Sequence, residues 1–581
     1  MRPEDPQTMF ESANLKHHLD KAVYKREAAK LRQALLDAQY DLKQNGRFPV
    51  LILIAGVEGA GKSETVNLLN EWMDPRHILT SAFFDPSDEE RERPALWRFW
   101  RALPPKGKIG IFFGAWHTMP IIRRVFGEID EGEFAREISE IQRLEKMLCD
   151  EGVLLLKYWF HLSKGQERKR LKELASDPKT RWRVTDRDWQ YFKIYKRFIK
   201  VCDPFLRKTT TGEAPWIVVP GADTRYRSLT VGRHLLAAMR ERLNEKPLKQ
   251  LPDKTPPLPA PADSLNVLRA LELDQPMTKA EFDKELEKWQ GRLNVASRDP
   301  RFKQLSVVTV FEGNDAAGKG GAIRRVTSAL DSRCYTNVSV AAPTEEERAQ
   351  PYLWRFWRHL PRNGRFTFFD RSWYGRVLVE RVEGFCSESD WMRAYTEIND
   401  FEGAMLGHGT VVVKFWLTIS KEEQFRRFKL REKVAFKRFK ITDEDWRNRK
   451  KWEQYETAVC DMVDRTSTTL APWTLVEANN KYHSRIKVIK TLCRAVENAL
   501  ERVGKAGARK GAKKNRKKGG KKKEGSRRGG SARLSAWQPR RAGSGWARPG
   551  RTICMRPASG SRPRSPDARR RSFSGRGRAH R

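Results

Sequence analysis

The chain has 581 residues. At roughly 100–200 residues per domain it holds at least two domains with real cores, which excludes a peptide or a single-motif scaffold. Lys and Arg number 115 against 73 Asp and Glu, a formal net charge of +42 that favours polyanionic partners such as nucleic acid, nucleotides or phosphate chains.

From the N-terminus, Met1-Arg-Pro-Glu-Asp-Pro has no apolar run behind its charges, and the longest apolar stretches, such as Val50 to Val57, are far shorter than a membrane span. Neither secretion nor membrane insertion is expected. A predicted strand then leads into Gly56-Val-Glu-Gly-Ala-Gly61-Lys62-Ser63, and further on stands Leu96-Trp-Arg-Phe-Trp-Arg-Ala-Leu-Pro104. The latter returns as Leu353-Trp-Arg-Phe-Trp-Arg-His-Leu-Pro361, an offset of 257 that also relates Gly56 to Gly313, Lys62 to Lys319, Trp116 to Trp373 and Trp216 to Trp473. The chain is therefore a tandem repeat of one domain. We expect a first copy over residues 1–245, a semi-rigid Pro-rich linker over 246–275, a second copy over 276–502 and a basic tail over 503–581. In the second copy Ser306–Phe311, Arg365–Phe369, Thr410–Leu417 and Trp473–Val476 read as buried strands, and Ala322–Leu330 and Trp391–Leu406 as helices. Strands separated by helices predict an α/β sandwich with a parallel sheet in each half.

Both copies place a glycine-rich loop after a strand. Such a loop curls backbone N–H groups around phosphate oxygens at a helix N-terminus, and its lysine reaches the outer phosphates. Copy one carries the full G-x-x-x-x-G-K-S; copy two reads Gly313-Asn-Asp315-Ala-Ala-Gly318-Lys319-Gly320-Gly321, with glycine in place of the hydroxyl residue that ordinarily holds magnesium. A carboxylate must compensate, and Asp315 in the loop is the candidate. Asp370, in Phe368-Phe-Asp370-Arg371-Ser-Trp-Tyr-Gly-Arg376, is expected beside the loop at the carboxyl edge of the sheet. Two hard oxygen ligands suit Mg2+. Taken singly, Asp370 reads equally well as a helix cap, and Arg371 and Arg376 as a solvated face; beside the loop they read as a site. Copy one has Glu58, Phe113 and Gly114 where copy two has Asp315, Asp370 and Arg371, so it is expected to be degenerate. Downstream, Arg427 and Arg431 share a helix face and could belong to a lid, although on spacing alone a basic helix is simply solvated.

Gly313 to Gly321, Asp370 to Arg376, the Gln424 to Arg431 segment and Thr466-Ser-Thr-Thr-Leu-Ala-Pro-Trp473 together resemble the polyphosphate kinase 2 family. The resemblance implies two tandem P-loop kinase-like, three-layer α/β/α domains with parallel sheets and helical lids. It also implies Mg2+-dependent transfer of a phosphoryl group from inorganic polyphosphate to a nucleotide, with activity in the C-terminal copy; the fused layout implies AMP. Carried over residue by residue, Asp315 and Asp370 would position the metal, Lys319 would bind the transferred phosphate, and Arg371, Arg427 and Arg431 would neutralise it. Gly313, Ala316, Ala317, Gly318, Gly320, Arg376, Arg431 and Lys440 complete the phosphate- or nucleotide-binding candidates.

Three other readings stand beside this one: a polyphosphate-dependent kinase of ADP or GDP, an ATP-using nucleotide kinase, and a basic nucleic-acid-binding protein. The last is disfavoured for the body, which lacks recognition signatures. The charge excess lies mostly in the tail, where residues 503–581 hold 27 basic and 2 acidic residues and leave +17 on the rest. That tail is expected to be disordered, since it has too few apolar residues to offset its ordering entropy. From Arg533 to Arg581 it holds 14 Arg and no Lys, a composition that out-of-frame GC-rich DNA would give. The seven scattered cysteines contain no Cys-x-x-Cys pair, arguing against a disulfide framework and for a reducing cytoplasm. A homo-oligomer is compatible with the sequence, which fixes neither oligomeric state nor acceptor.

Overall fold

In the computed structural model, which describes residues 8–245, 266–435, 439 and 441–523, the apolar runs form two five-stranded parallel sheets. The first contains β1 (Val50–Gly56), β2 (Ile78–Ala82), β3 (Ile109–Phe113), β4 (Leu154–His161) and β5 (Trp216–Pro220), in the order β2-β3-β1-β4-β5. The second repeats that order with β6 (Ser306–Gly313), β7 (Tyr335–Ser339), β8 (Arg365–Asp370), β9 (Val411–Thr418) and β10 (Trp473–Glu477), as β7-β8-β6-β9-β10. The four expected strands of copy two are β6, β8, β9 and β10. β7 escaped the sequence reading because Tyr-Thr-Asn-Val-Ser is a half-exposed edge strand with no apolar run.

Alternate residues along each central strand enter different cores. Val50, Ile52 and Ile54 of β1 join an outer core private to copy one, and Val307 and Phe311 of β6 one private to copy two. The residues between them, Leu51 and Leu53 in one sheet and Val308 and Val310 in the other, belong to a single core shared by both copies. Both copies accordingly lie in one compact unit, Met1–Ala512.

Several contacts across the seam obey the 257-residue offset. Trp100 stacks on its counterpart Trp357 with ring centroids 5.6 Å apart and planes at 12°. Arg143 Nε donates to both carboxylate oxygens of its counterpart Asp400 at 2.9 Å. Arg93 donates to Leu360 O at 2.9 Å, and its counterpart Gln350 donates to Leu103 O at 3.2 Å. The copies thus pair like the subunits of a twofold dimer, by self-complementary patches.

Each copy also buries one ion pair behind its sheet. Lys414 Nζ lies 2.8 Å from Glu402 Oε2 and donates to Thr466 O (2.7 Å) and Tyr374 Oη (3.0 Å); both charged side chains are at most 1% exposed. Burial pushes Glu402 up and Lys414 down from their ordinary values. Thr466 Oγ1 accepts from Trp473 Nε1 at 2.9 Å, so the Thr466 to Trp473 segment clamps β10 to this network. Copy one repeats it with Lys157, Glu145 and Thr209, and with His117 in place of Tyr374.

At the N-terminal end of copy two, residues 266–275 of the expected linker are docked on the domain. Leu268 is buried, and Asn266 and Arg269 both donate to Glu456 Oε1. Residues 246–265 lie outside the described residues. The last helix, Lys481–Lys523, runs past Val503, where the tail was expected to start. Lys, Arg and Ala are good helix formers, and extending an existing helix needs no new nucleus. Residues 524–581 lie outside the described residues.

Candidate active site

Parallel pairing sets the geometry of the copy-two loop. Phe311 of β6 is in register with Asp370, the last residue of β8, so β6 runs two residues beyond it and then breaks into the glycine-rich loop. Gly313, at φ +147°, passes so close to β9 that a Cβ there would lie 2.4 Å from Leu417 O. The chain re-enters helix at Lys319, after Gly318 at φ +112°. Lys319 Nζ curls back to Gly313 O (2.7 Å) and Asn314 O (3.4 Å), and Asn314 Oδ1 accepts from Ile419 N (3.1 Å).

The predicted residues converge here unevenly. Asp315 accepts from Asn448 Nδ2 at 2.9 Å and stands 3.5 Å from the Arg371 guanidinium, which also lies 4.0 Å from Glu444. Asp370 lies beside the start of the loop helix: a Cβ on Gly320 would meet its Oδ2 at 3.8 Å. A cavity of about 90 Å³ over the loop is lined by Asp315, Lys319, Arg371, Glu444, Asn448 and Tyr455 among others. Arg427 is engaged below it. Its side chain is 3% exposed and donates to Ala316 O (2.9 Å), Ala317 O (3.0 Å), Ala478 O (2.6 Å) and Asn479 O (2.9 Å), so it braces the loop backbone. Arg376 is engaged at the seam: its guanidinium sits 4.0 Å over Tyr352, 2.9 Å from Glu380 and 3.8 Å from Glu151 of copy one. Arg431 lies on the helix Lys421–Lys433, close to Asp445; burial pushes that carboxyl up, and the Arg431 charge offsets only part of the rise. Lys440 lies outside the described residues.

Sequence reasoning missed Glu312, a buried carboxyl that accepts from Ser372 Oγ at 2.8 Å and is pushed up by burial despite nearby Lys319. Its counterpart at the 257 offset is Ala55, a difference as sharp as Asp370 against Phe113. It also missed the cations bordering the loop helix. Arg485 is held down by burial and by Arg325, Arg427 and Arg324, and Lys481 is pushed down to about 8 by burial and by Arg427. Like charges gathered in this way are stabilised by an anion.

Backbone conformation separates the copies as well. Among the described residues only Ala316 (φ +64°) and Arg371 (φ +63°) are non-glycine residues at positive φ, and both lie in this site. Their counterparts are Gly59 and Gly114, at +73° and +77°. The left-handed conformation costs about 1–2 kcal/mol for a residue with a Cβ, so copy two keeps a strain that copy one has relieved.

Copy one retains Lys62, which donates to Gly56 O (2.9 Å), Val57 O (3.0 Å) and Glu58 Oε2 (3.2 Å). Its cations are consumed internally. Glu64, where copy two has Gly321, lies 2.9 Å from Arg170, 2.6 Å from Arg227 and 3.7 Å from Arg183. Gly321→Glu in copy two would place a carboxylate against Arg485, which lies 3.4 Å from a Cβ at that position. The expected result is a loss of about tenfold or more in kcat/KM for an anionic substrate, read from initial rates.

Asp315 and Asp370 are hard oxygen donors, and magnesium is commonly held by one or two carboxylates with waters and substrate phosphates. Among the described residues no group of three or more His, Cys, Asp or Glu side chains could cage a metal. The donor set therefore fits a metal shared with a phosphate ligand.

A glycine-rich loop with its lysine at the carboxyl edge of each parallel sheet defines a tandem P-loop kinase fold, in which Asp315 and Asp370 of copy two stand where copy one has Glu58 and Phe113. Residues 18–247 and 276–503 each match the family Polyphosphate kinase 2 (PPK2). The chain belongs to the polyphosphate kinase 2 family. It is 57% identical over 494 residues to a polyphosphate:AMP phosphotransferase of Pseudomonas aeruginosa, covering 85% of this chain and 100% of that protein. A protein of the same name from Acinetobacter johnsonii is 38% identical, covering 80% of this chain and 95% of its own. A crystal structure from Pseudomonas aeruginosa PA01 bearing the polyphosphate kinase 2 name matches with a TM-score of 0.76 at 55% identity, covering 85% of this chain and 100% of that one.

Proposed function

We propose that copy two transfers the terminal phosphoryl group of inorganic polyphosphate to AMP. An oxygen of the AMP phosphate forms a bond to the terminal phosphorus, the bridging P–O bond breaks, and ADP leaves with a chain one unit shorter. The observation that carries this reading is the meeting of Lys319, Asp315, Asp370 and Arg371 around one loop, against Lys62 with Glu58, Phe113 and Gly114 in copy one. Phosphoryl transfer asks a protein mainly for positioning and charge stabilisation, and these groups supply both. The loop N–H groups and Lys319 hold the phosphoryl group, Arg371 neutralises it, and Arg427 keeps the loop in shape from below. Asp315 and Asp370 would hold Mg2+, which when bound offsets phosphate charge. The donor chain would continue over Arg324, Arg325, Lys481 and Arg485.

AMP as acceptor is supported by relatives of that name that this chain covers over nearly their full length. A cytoplasmic setting suits the reading: the six cysteines among the described residues are free, and no helix among those residues is long and apolar enough to cross a membrane. The test is a panel of AMP, ADP, GMP and GDP with polyphosphate and magnesium, with ATP as the competing donor. The expected product is ADP from AMP and polyphosphate. Preferential phosphorylation of ADP or GDP, or use of ATP alone, would replace the proposal.

A further inference from the structure

The altered loop of copy one opens into a cavity of about 310 Å³, within the range of small-molecule sites. Its walls are aromatic: Phe83, Phe113, Trp159, Tyr191, Tyr195 and Phe198. At the positions of Phe113 and Gly114 copy two has Asp370 and Arg371, so the loss of the phosphate site is also the gain of an apolar wall.

Two buried polar groups of this lining are unsatisfied. Glu167 is 2% exposed, and its Oε2 has no hydrogen-bond partner. The indole N–H of Trp159, also 2% exposed, has none either. Glu167 stands where copy two has Gln424, whose amide donates to Asp315 O at 3.2 Å. Unsatisfied buried polar atoms cost free energy unless a ligand completes them. The cavity does not suit a phosphate chain. Its charged lining is Glu58, Glu167 and Asp188 against Lys62 and Arg187, Lys62 is bonded to Glu58, and the remaining cations of the old site are held by Glu64.

We propose that the copy-one cavity binds an uncharged nucleoside whose base presents adjacent N–H donors, as guanine does, stacked between the aromatic walls with its donors on Glu167. Aromatic side chains stack bases, and a carboxylate accepts from neighbouring N–H groups of a base edge. Burial pushes Glu167 up to about 7, followed by the charge of Glu58. The other groups facing it are Lys62, Lys164 and Asp188, with Arg187, Tyr195 and neutral, buried His117 around the cavity. Binding through the carboxylate therefore strengthens as pH rises through about 7.

The experiment is equilibrium dialysis of the full chain with guanosine, in the presence and absence of inorganic triphosphate. The expected result is saturable binding that triphosphate does not displace, that tightens several-fold between about pH 6 and pH 8, and that weakens about tenfold or more in Glu167→Leu. Glu167→Gln should bind weakly without the pH dependence, and thermal melting checks that both variants fold. No saturation at millimolar guanosine overturns the proposal. So does guanosine affinity unchanged in Glu167→Leu, or displacement by triphosphate, which would put the nucleoside in the copy-two site.

Discussion

Lys319→Met is expected to lower kcat for ADP formation by roughly 10³-fold, whereas Lys62→Met should leave it within about twofold. The two lysines have the same chemical setting, each bonded to the carbonyls of the first loop residues, at 2.7 and 3.4 Å in copy two and 2.9 and 3.0 Å in copy one. The difference lies around them. Lys319 lines one cavity with Asp315 and Arg371, and Asp370 lies beside the start of its helix; on the proposed reading its removal takes away a charge that acts while the phosphoryl group is in transit. Lys62 faces Glu58 and the Phe113 ring, whose centroid is 6.0 Å away. Steady-state rates from AMP and polyphosphate, with melting curves for both variants, make the comparison. An equal loss in the two variants would mean that the copies share the chemistry, and the assignment of one active copy would fall.

Lys414→Met is expected to destabilise the fold by about 3–5 kcal/mol, because it strands the Glu402 carboxylate behind the sheet. Replacing Glu402 by leucine in the same chain should recover most of that loss, since no buried charge then remains unpaired. The pH dependence has a definite sign. Glu402 is already raised from its ordinary 4.5 in the presence of Lys414, and without that cation it rises further. A carboxyl raised on folding costs nothing below its unfolded value and a growing amount as pH climbs through its folded value. The deficit of Lys414→Met should therefore shrink near pH 4.5 and widen toward neutrality, as denaturant titrations would record. A deficit independent of pH would assign the loss to packing.

Much of this was legible in the sequence because parallel strands buried on both faces are written as apolar runs. β6, β8, β9 and β10 stood out for that reason, and the repeat fixed their partners in copy one. β7 did not, since its two neighbours in the chain's alternation are solvent and β8. The loop chemistry was legible where it is local: Asp315 and Lys319 are four residues apart, and Asp370 ends a recognisable strand. Roles decided by tertiary placement were not. Helical spacing put Arg427 and Arg431 on one face, but only the packed structure shows Arg427 turned inward onto four carbonyls. Arg376 is read from sequence as a phosphate ligand and is found at the seam, on an acidic residue from the other copy. Glu312 lay hidden at the end of an apolar strand, detectable only by asking what copy one has in its place.

Fusion of the two copies releases their common boundary from a constraint that binds separate subunits. In an association of identical chains every residue must serve both sides, so a favourable change on one side imposes the same change on the other. Here Glu151 bonds Arg393 at 2.6 Å and accepts from Tyr352 N at 3.1 Å, while its counterpart is His408. An asymmetric contact of this kind is open only to partners encoded once each. Tethering also makes the pairing intramolecular, so it cannot be diluted away, and each copy keeps the shared core that its partner completes.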